Sequence, residues 1–444
     1  MKKITFLYFL TFLSTSFFLL AGWVGSANAN ETEDLNDHRH LQPVMTAIDY
    51  HTRMIYIINT RSDKVITIDP LNISDWPGDV PLQHTLVLPN GKDLYITTDN
   101  TEQHGAYIIA LKVDDFQWDA GTARVKVAGV LPVDRPMTPA ELPFVEPVNG
   151  NQAVPNWLLA QATQVHGPTI LPHSNFIYFT EWTSDRVRVI DRKTNQFAAV
   201  DPITIPGYTE QTHGIAFNKS GTIGLGTGYF FDNNVIDRYK VNSRTGELSP
   251  VDKIMLGNEK RYAAFSHFVF WLDERYALTA TMQFDKTSLT PSETEEIIPP
   301  SVWLIDAWEG TTVKIIDHTD NVNGHGIFRS ASDLTVIGDK LYIAEEDSMD
   351  YTFGEDGYVS VFDISNRFHP QFIKRLKPGN ELPNGFAVAH TLSPSPDNRF
   401  LMLSSWASGY MLKIDTMTDT VVKVFGPAEG MVMPHGLHSA GSIR

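Results

Sequence analysis

Strand-like segments that end in aspartate recur along the chain and constrain its fold more than any other feature. In each segment apolar residues alternate with other residues, an aspartate follows, and a polar turn comes next. The segments lie at 64–72, 106–114, 186–196, 234–246, 301–310, 358–366 and 410–420, and another strand-like block precedes each of them. Repeats of about 40 to 65 residues built from short strands and turns are typical of β-propellers. We therefore predict an all-β fold, a seven-bladed β-propeller that spans residues 43–444.

The two ends of the predicted propeller meet in one blade. Residues 433–441, MPHGLHSAG, have the pattern of an innermost strand, but no second strand follows them in the sequence. The first repeat, in turn, lacks an innermost strand of this type. We therefore expect the C-terminal strand to close the first blade, beside residues 51–83. A proline-rich insertion at about 133–165 interrupts the repeats, and we interpret it as a lid or a partner surface.

One histidine recurs at the same point of each repeat. The chain has only 15 histidines, yet motifs such as QVHGPTI, QTHGIAF and NGHGIFR place one about 11 residues or slightly more before the second-strand block. That position is the start of the innermost strand, which in a propeller lines the central channel. With the histidine of the closing strand, the set is His84, His166, His213, His267, His325, His390 and His435. Because innermost strands all start at one end of the channel, we expect the seven imidazoles to converge in a ring.

Converging imidazoles suggest a metal site. Imidazole is a favoured ligand of copper, zinc, iron and nickel. The chain has no cysteine, so nitrogen, oxygen or thioether groups must hold any metal. A nitrogen-rich site without thiols favours copper. The alternative interpretation is that each histidine only hydrogen-bonds the backbone of a neighbouring blade.

Loops that follow the second strands end on the same face as the histidines. These loops contain His104, Glu181, Glu345 and Trp406. We predict them as possible outer-shell residues, which orient an imidazole through a hydrogen bond. The alternative is that they are solvated turn residues. We expect His173, His318 and His369 to lie away from this face.

Residues 1–29 have the pattern of a cleaved secretory signal. Two lysines precede an apolar run, and small residues follow at Ala27 and Ala29. The alternative is an uncleaved membrane anchor. Cleavage would leave residues 30–42 as an N-terminal tail, and the loss of two lysines would change the net formal charge from −17 to −19. This charge disfavours nucleic acid and anionic membranes as partners, so we expect a periplasmic protein with no membrane insertion.

The segment VRVIDRKTNQF, residues 187–197, resembles the YVTN-repeat family of seven-bladed propellers, and the resemblance covers nearly all of the chain after the leader. The inward histidines resemble those in the catalytic domain of nitrous-oxide reductase, an exported propeller whose histidines hold a multicopper cluster at one end of the channel. The chain lacks that family's His-His pair and has no cysteine, so we expect no cupredoxin domain. Selenium-binding protein, a copper-dependent methanethiol oxidase, is another histidine-bearing propeller of this type.

Two functional hypotheses follow from these patterns. The first is a copper-dependent periplasmic oxidoreductase that acts on a small-molecule substrate at the histidine ring and exchanges electrons with a separate periplasmic carrier. The second is a non-catalytic periplasmic propeller that holds metal or binds a protein partner as a scaffold. The metal content of the purified protein distinguishes them.

Overall fold

Seven four-stranded antiparallel sheets make up the described part of the chain. The computed structural model describes residues 43–101, 103–136, 165–181, 185–209, 212–228, 235–257, 266–281, 300–317, 330–346 and 357–440. The innermost strands of successive sheets contact one another around a central channel. The protein is therefore an all-β, seven-bladed β-propeller, as the repeats predict. Within the ranges given, no helix is long and apolar enough to cross a membrane.

The first blade joins the two ends of the propeller. Its strands are, from the channel outwards, β28 (Pro434–Ser439), β1 (Val44–Asp49), β2 (Ile55–Asn59) and β3 (Lys64–Ile68). The prediction that the C-terminal strand closes this blade is confirmed. Its expected partner was wrong, because β28 pairs with β1 and not with a strand within 51–83. The block that includes β2 is thus the third strand of its blade, and the repeat at 64–72 contains the fourth.

Each of the other six blades consists of four strands that are consecutive in sequence and run outwards from the channel. The second blade contains β4 (Leu82–Val87), β5 (Asp93–Thr98), β6 (Ala106–Gln117) and β7 (Thr122–Asp134). The third contains β8 (Val165–Ile170), β9 (Phe176–Glu181), β10 (Arg186–Asp191) and β11 (Gln196–Phe197). The fourth contains β12 (Thr212–Phe217), β13 (Ile223–Gly228), β14 (Val235–Asn242) and β15 (Glu247–Met255).

The remaining three blades follow the same order. The fifth contains β16 (Ser266–Trp271), β17 (Tyr276–Thr281), β18 (Ser301–Asp306) and β19 (Thr311–Asp317). The sixth contains β20 (Ser330–Ile337), β21 (Lys340–Glu346), β22 (Tyr358–Asp363) and β23 (Gln371–Leu376). The seventh contains β24 (Ala389–Pro394), β25 (Phe400–Ser405), β26 (Met411–Asp415) and β27 (Thr420–Phe425). Short 3-10 helices lie at Pro70–Asn72 and Pro427–Glu429.

The recurrent acidic or amide residue closes the turn between the third and fourth strands. The Oδ1 atom of Asp191 accepts a hydrogen bond from the backbone N–H of Lys193 at 3.0 Å, and Asp415 does the same for Met417 at 2.8 Å. Asn59 has this role in the first blade. Aspartate and asparagine recur here because their short side chains can cap a turn two residues ahead.

The apolar core lies between the blades and links each one to its neighbour. Buried tyrosines of the second strands reinforce these contacts. The Tyr95 hydroxyl donates to Oδ1 of Asn195 at 2.5 Å, and the Tyr178 hydroxyl donates to the carbonyl of Gly246 at 2.6 Å. Each bond reaches the outer turn of the next blade. The angle between blades, and with it the position of every innermost strand, is therefore fixed by packing and by hydrogen bonds.

The predicted leader at 1–29 and the N-terminal tail at 30–42 lie outside the described residues. Residues 137–164 of the predicted insertion also lie outside them. The insertion was drawn slightly too long, because β7 continues to Asp134 and β8 begins at Val165.

Candidate metal centre in the central channel

Six innermost strands carry a histidine near their first residue. These histidines are His84, His166, His213, His267, His390 and His435. All are buried except His390, which is slightly exposed. The strand register shifts at or beside each of them. A β-bulge changes the direction of a side chain relative to a regular strand, so these strands share a local distortion at the histidine.

The six imidazoles form a closed ring, which we call the histidine ring. Consecutive ring centroids are 4.7 Å apart for His84 and His166, 4.9 Å for His166 and His213, 4.1 Å for His213 and His267, 5.5 Å for His267 and His390, 4.8 Å for His390 and His435, and 4.7 Å for His435 and His84. Most neighbours meet edge to face. Sequence reasoning therefore found six side chains that lie together.

The sixth blade contributes no histidine to this ring among the described residues. His325 lies outside them. In β20 the register shifts between Ala331 and Asp333, so Ser332 occupies the place that a histidine holds in the other blades. The carbonyl of Ser332 accepts a hydrogen bond from Nδ1 of His267. The side of the ring between His267 and His390, its longest, spans this blade.

Hydroxyl groups fix the backbone of the ring histidines across blade boundaries. The Thr180 hydroxyl donates to the carbonyl of His213 at 2.6 Å, and the Thr227 hydroxyl donates to that of His267 at 2.9 Å. The Ser332 hydroxyl donates to the carbonyl of His390 at 2.9 Å. These bonds hold the innermost strands of the fourth, fifth and seventh blades against the preceding blade.

Glycine follows histidine in several of the motifs because innermost strands approach closely at the channel. Gly167 has a φ of 49°, and a Cβ atom there would lie 2.8 Å from the carbonyl oxygen of His213. Gly436 has a φ of 60°, and its Cβ atom would lie 3.0 Å from Cα of His84. Only glycine adopts these backbone angles without strain. The glycines thus permit the spacing that brings neighbouring imidazoles into contact.

Three ring histidines present Nδ1 to an acceptor on the neighbouring blade. Nδ1 of His213 lies 3.3 Å from the carbonyl oxygen of His267, and Nδ1 of His390 contacts Oε1 of Glu346. Together with the bond from Nδ1 of His267, these contacts favour the tautomer that carries its proton on Nδ1 in His213, His267 and His390. A neutral imidazole protonated at Nδ1 carries its lone pair on Nε2, the atom that binds metal.

The other side of the ring has a different arrangement. Nε2 of His84 lies 3.3 Å from Nδ1 of His166. Both ring nitrogens of His435 are buried without a hydrogen-bond partner among the described residues. Burying an imidazole without partners costs free energy. A ligand that binds a nitrogen of His435 would recover part of this cost.

Burial keeps three of the ring imidazoles neutral. It lowers the pKa of His166, His213 and His435 well below the usual 6.5, and neighbouring imidazoles lower the pKa further. The physical cause is that a charged imidazole loses hydration on burial and is repelled by charged neighbours. Neutral imidazole is the form that binds metal.

The ring fits metal ligands in its donor chemistry and in one nitrogen spacing. Two nitrogens bound to one tetrahedral ion at ~2.0 Å lie about 3.3 Å apart, which is the separation of His84 Nε2 and His166 Nδ1. As the imidazoles stand in the described residues, however, no three imidazole or carboxylate groups are gathered closely enough to hold one ion. A third ligand would require a neighbouring imidazole to turn about its side-chain bonds.

Among the predicted outer-shell residues, Trp406 is in direct contact with the ring. Its own ring centroid lies 4.7 Å from that of His390 and 4.4 Å from that of His435. His104 lies in the connection between β5 and β6, and its imidazole packs against Gly78. Trp406 therefore covers one side of the histidine ring, whereas His104 packs against the connection between β3 and β4.

Glu181 is the last residue of β9 and Glu345 is the next-to-last residue of β21, on the ring side of the blades, where they pair with Val165 and Ala331. Their carboxylates are engaged by arginines. Glu181 accepts hydrogen bonds from Arg186 and Arg188, and Glu345 accepts one from Arg375 at 2.8 Å. These ion pairs hold the Glu181 carboxylate against the third strand of its blade and the Glu345 carboxylate against the fourth strand of its blade. The carboxylate that contacts a ring imidazole is that of Glu346, the next residue along.

Of the three histidines expected away from the ring, two lie within the described residues and one lies outside them. His173 lies in the turn between β8 and β9, and His369 lies in the connection between β22 and β23. By the up-and-down order of the strands, both connections are at the end of the propeller opposite the histidine ring. His318 lies outside the described residues.

Sequence reasoning missed Tyr50 and Asp99, which directly follow the second strands of the first and second blades, as Trp406 does in the seventh. Tyr50 stacks on Trp406 with a centroid distance of 6.1 Å. Aligning the blades by the end of the second strand is the signal that would have identified them.

A small cavity lies beside His84. Its volume is about 20 Å³, and it is lined by His84 and by residues of the innermost strands of the third, fourth and fifth blades, among them Gly167, Gly214 and Phe268. This is room for about one water molecule.

Comparison with known proteins supports the fold. No known family model matches the sequence, and no curated protein matches it. Hydrazine synthase of Kuenenia stuttgartiensis has a similar structure, with a TM-score of 0.52, 14% identity and coverage of 80% of this chain and 90% of that chain. A hypothetical selenium-binding protein of Sulfolobus tokodaii has a TM-score of 0.56, 13% identity and coverage of 91% and 94%. A functionally unknown protein from Desulfotomaculum acetoxidans has a TM-score of 0.57, 13% identity and coverage of 89% and 99%.

Proposed function

We propose that the histidine ring is the copper site of an exported, periplasmic oxidoreductase that acts on a small molecule and exchanges electrons with a separate carrier protein. The observation that carries this proposal is the ring itself, six imidazoles from six blades in mutual contact, five of them buried and His390 slightly exposed. Imidazoles in contact gain little free energy from one another. A shared metal ion would stabilise their close approach, because it binds the nitrogens of several imidazoles at once.

The chemistry of the ring favours copper over harder metals. Its donors are imidazole nitrogens, and imidazole suits copper, zinc, iron and nickel better than magnesium or calcium. The contact between Glu346 and Nδ1 of His390 is the carboxylate–histidine pairing that orients metal-binding imidazoles. Among these metals, copper combines the highest affinity for nitrogen ligands with one-electron chemistry.

The dimensions of the ring favour metal between neighbouring histidines. In a ring of six with sides of 4.1–5.5 Å, each centroid lies about one side length from the centre. That is too far for a metal–nitrogen bond of ~2.0–2.1 Å to an ion on the axis. His84 and His166 would hold an ion, together with His435 or His213.

The chain's own residues have separate roles in this proposal. Bound copper would supply one-electron exchange with the substrate. Glu346 fixes the tautomer of His390, and the hydroxyls of Thr180 and Thr227 hold the ring backbone. Trp406 covers the ring between His390 and His435 and excludes water from that side.

Metal analysis of paired histidine variants tests the proposal. We expect the purified protein to contain copper, and we expect the double substitution His213→Ala with His390→Ala to abolish its uptake. The fold should survive, because both residues line the channel and lie outside the clusters between blades. Copper content by mass spectrometry and secondary structure by circular dichroism are the measurements.

The matched control replaces two histidines at the opposite end of the propeller, His173→Ala with His369→Ala, which should leave copper content unchanged. Equal copper content in both double variants and the wild type would contradict the proposal.

One observation favours the alternative, a non-catalytic propeller that binds a partner as a scaffold. Nδ1 of His213 and of His267 meets a backbone carbonyl of the next blade, which is a structural role that needs no metal. On this alternative the wild-type protein would be metal-free, and the double ring variant would lose stability through those bonds. The same copper measurement therefore separates the two functions.

A further inference from the structure

Two aromatic side chains, Trp406 and Tyr50, extend outwards from the histidine ring where the first and seventh blades meet. The indole of Trp406 contacts two ring histidines, with centroid distances of 4.4 Å to His435 and 4.7 Å to His390. Tyr50 stacks on the same indole at a centroid distance of 6.1 Å, with 27° between the two ring planes. We call Trp406 and Tyr50 the aromatic pair. Together with the ring it forms a continuous row of aromatic side chains.

The aromatic pair leads from the interior of the propeller towards its surface. Trp406 is 8% exposed, whereas Tyr50 is partly exposed and precedes the exposed His51 in the chain. Tyr50 directly follows β1, whose last residue pairs with Pro434, the residue before His435. The pair therefore reaches the surface at the same end of the propeller as the histidine ring.

Backbone hydrogen bonds tie both members of the pair to the strands that carry ring histidines. The backbone N–H of Trp406 donates to the carbonyl of Val388 at 3.0 Å, and Val388 directly precedes β24. The backbone N–H of Tyr50 donates to the carbonyl of Met433 at 3.1 Å, and Met433 directly precedes β28. The aromatic pair and the ring are therefore held together by the blade framework.

The chemistry of an indole suits this position to electron transfer. An indole can lose one electron without first losing a proton, whereas the benzene ring of phenylalanine is much harder to oxidise. Electron transfer also slows steeply as the gap between two groups widens, so rings in contact form an efficient path. Phe268 contacts His267 at 4.4 Å, but it lines the cavity inside the channel. Trp406 combines an oxidisable ring with a stacked neighbour at the surface.

We propose that Trp406 relays electrons between the histidine ring and the surface, and that Tyr50 bridges Trp406 to a one-electron carrier protein. After a substrate is oxidised at the ring, one electron passes from copper(I) by way of Trp406 and Tyr50 to the oxidised carrier. Copper(II) and the reduced carrier result, no bond breaks and no proton moves. As the route to the carrier this relay rests on the proposed function. Electron exchange between Trp406 and the surface needs only the aromatic pair.

A photochemical oxidant attached beside Tyr50 tests the relay in metal-free protein. The chain has no cysteine, so His51→Cys gives a unique attachment point for a ruthenium(II) tris-bipyridine label. A light flash with a cobalt(III) quencher leaves ruthenium(III), which takes one electron from the protein. We expect the transient absorption of an indole radical. The experiment uses a Trp76→Phe background, because Trp76 packs against the same core cluster as Tyr50.

Variants of the aromatic pair assign the radical. Trp406→Phe should abolish it, whereas Trp308→Phe, an exposed tryptophan in the turn between β18 and β19, should leave it unchanged. Tyr50→Phe keeps a stacked ring and should retain the radical, and Tyr50→Leu should lose it. A radical of equal strength in Trp406→Phe would overturn the relay. If Trp406→Phe fails to fold, equal signals in Tyr50→Leu and Tyr50→Phe would overturn the proposed path.

The same flash on protein loaded with copper(I) lets the two proposals fail separately. We expect the indole radical to decay while the electron paramagnetic resonance signal of copper(II) appears. A label on His369→Cys, at the opposite end of the propeller, is the control and should not produce this signal. A Trp406 radical in a protein that takes up no copper would contradict the proposed function and support the relay. Equal rates of copper(II) formation in the wild type and Trp406→Phe would overturn the relay.

Discussion

At the residue scale, three of the ring imidazoles differ from ordinary histidines in how they respond to acid. In the unfolded chain each takes up a proton below a pKa of about 6.5. In the folded protein, burial holds the pKa of His166, His213 and His435 well below that value. The unfolded state therefore binds more protons as the pH falls. Stability is fully present above about pH 6.5 and declines below it.

We predict that the free energy of unfolding decreases from pH 7 to pH 5, by as much as about 2 kcal/mol for each of these imidazoles. His435→Phe should make the decrease smaller, because it removes one of the three. Denaturant unfolding at a series of pH values, on metal-free protein, measures both. His173→Phe, in an exposed turn, serves as the control. A wild-type stability that does not change over this range would contradict the prediction.

The residues around the ring show where reasoning from sequence reached its limit. Glu345 and Glu346 are adjacent, and both end a second strand on the correct side. Adjacent strand residues point to opposite faces of a blade, so one carboxylate meets Arg375 and the other meets His390. Spacing alone locates the pair but not which member faces the ring. Trp406 was identifiable because it follows its strand by one residue.

At the element scale, β28 has two roles. It supplies His435 to the ring, and it covers the inner edge of β1, pairing from Met45 to Asp49. An uncovered strand edge is prone to pair with other chains. The same strand contacts the innermost strands of the second and seventh blades. Its removal would therefore open both the sheet and the ring of blades.

We predict that deletion of residues 433–444 produces an aggregating protein with a clearly lower thermal midpoint. A circular permutant tests whether pairing or chain position matters. The backbone N–H of Ala440 donates to the carbonyl of Val44 at 3.0 Å, so residue 440 can be joined to residue 43 through a short turn. The permutant should recover stability and solubility, measured by thermal unfolding and size-exclusion chromatography. A soluble truncated chain with an unchanged midpoint would refute the role of β28.

At the scale of the whole molecule, the ring gathers side chains from six of the seven blades. A ligand held by residues of several blades binds the folded state and not the unfolded one. Such binding stabilises by an amount that grows with ligand concentration, about 2.7 kcal/mol at one hundred times the dissociation constant. Metal binding at the ring, as proposed, would therefore be coupled to closure of the propeller.

We predict that copper raises the thermal midpoint of chelator-treated protein by several degrees, with the size of the rise depending on copper concentration. The double variant His213→Ala with His390→Ala should show no rise. Differential scanning calorimetry with and without copper measures the shift, and magnesium is the control ion because it prefers oxygen ligands. Equal shifts in the wild type and the double variant would show that copper binds elsewhere.

The amino-acid pattern alone was enough to predict the number of blades, the closing strand and the place of six of the seven recurrent histidines. These properties follow from local patterns, namely the alternation of strand side chains and the turn chemistry of Asp191 and its equivalents. Which of these side chains contact one another depends on the tertiary structure. The closed ring, Ser332 in the sixth blade, and the pairing of Asp99 with Gln83 depend on bulges and on contacts between residues distant in sequence. A one-residue shift in register reverses the direction of a side chain, and no spacing in the sequence reports where such a shift occurs.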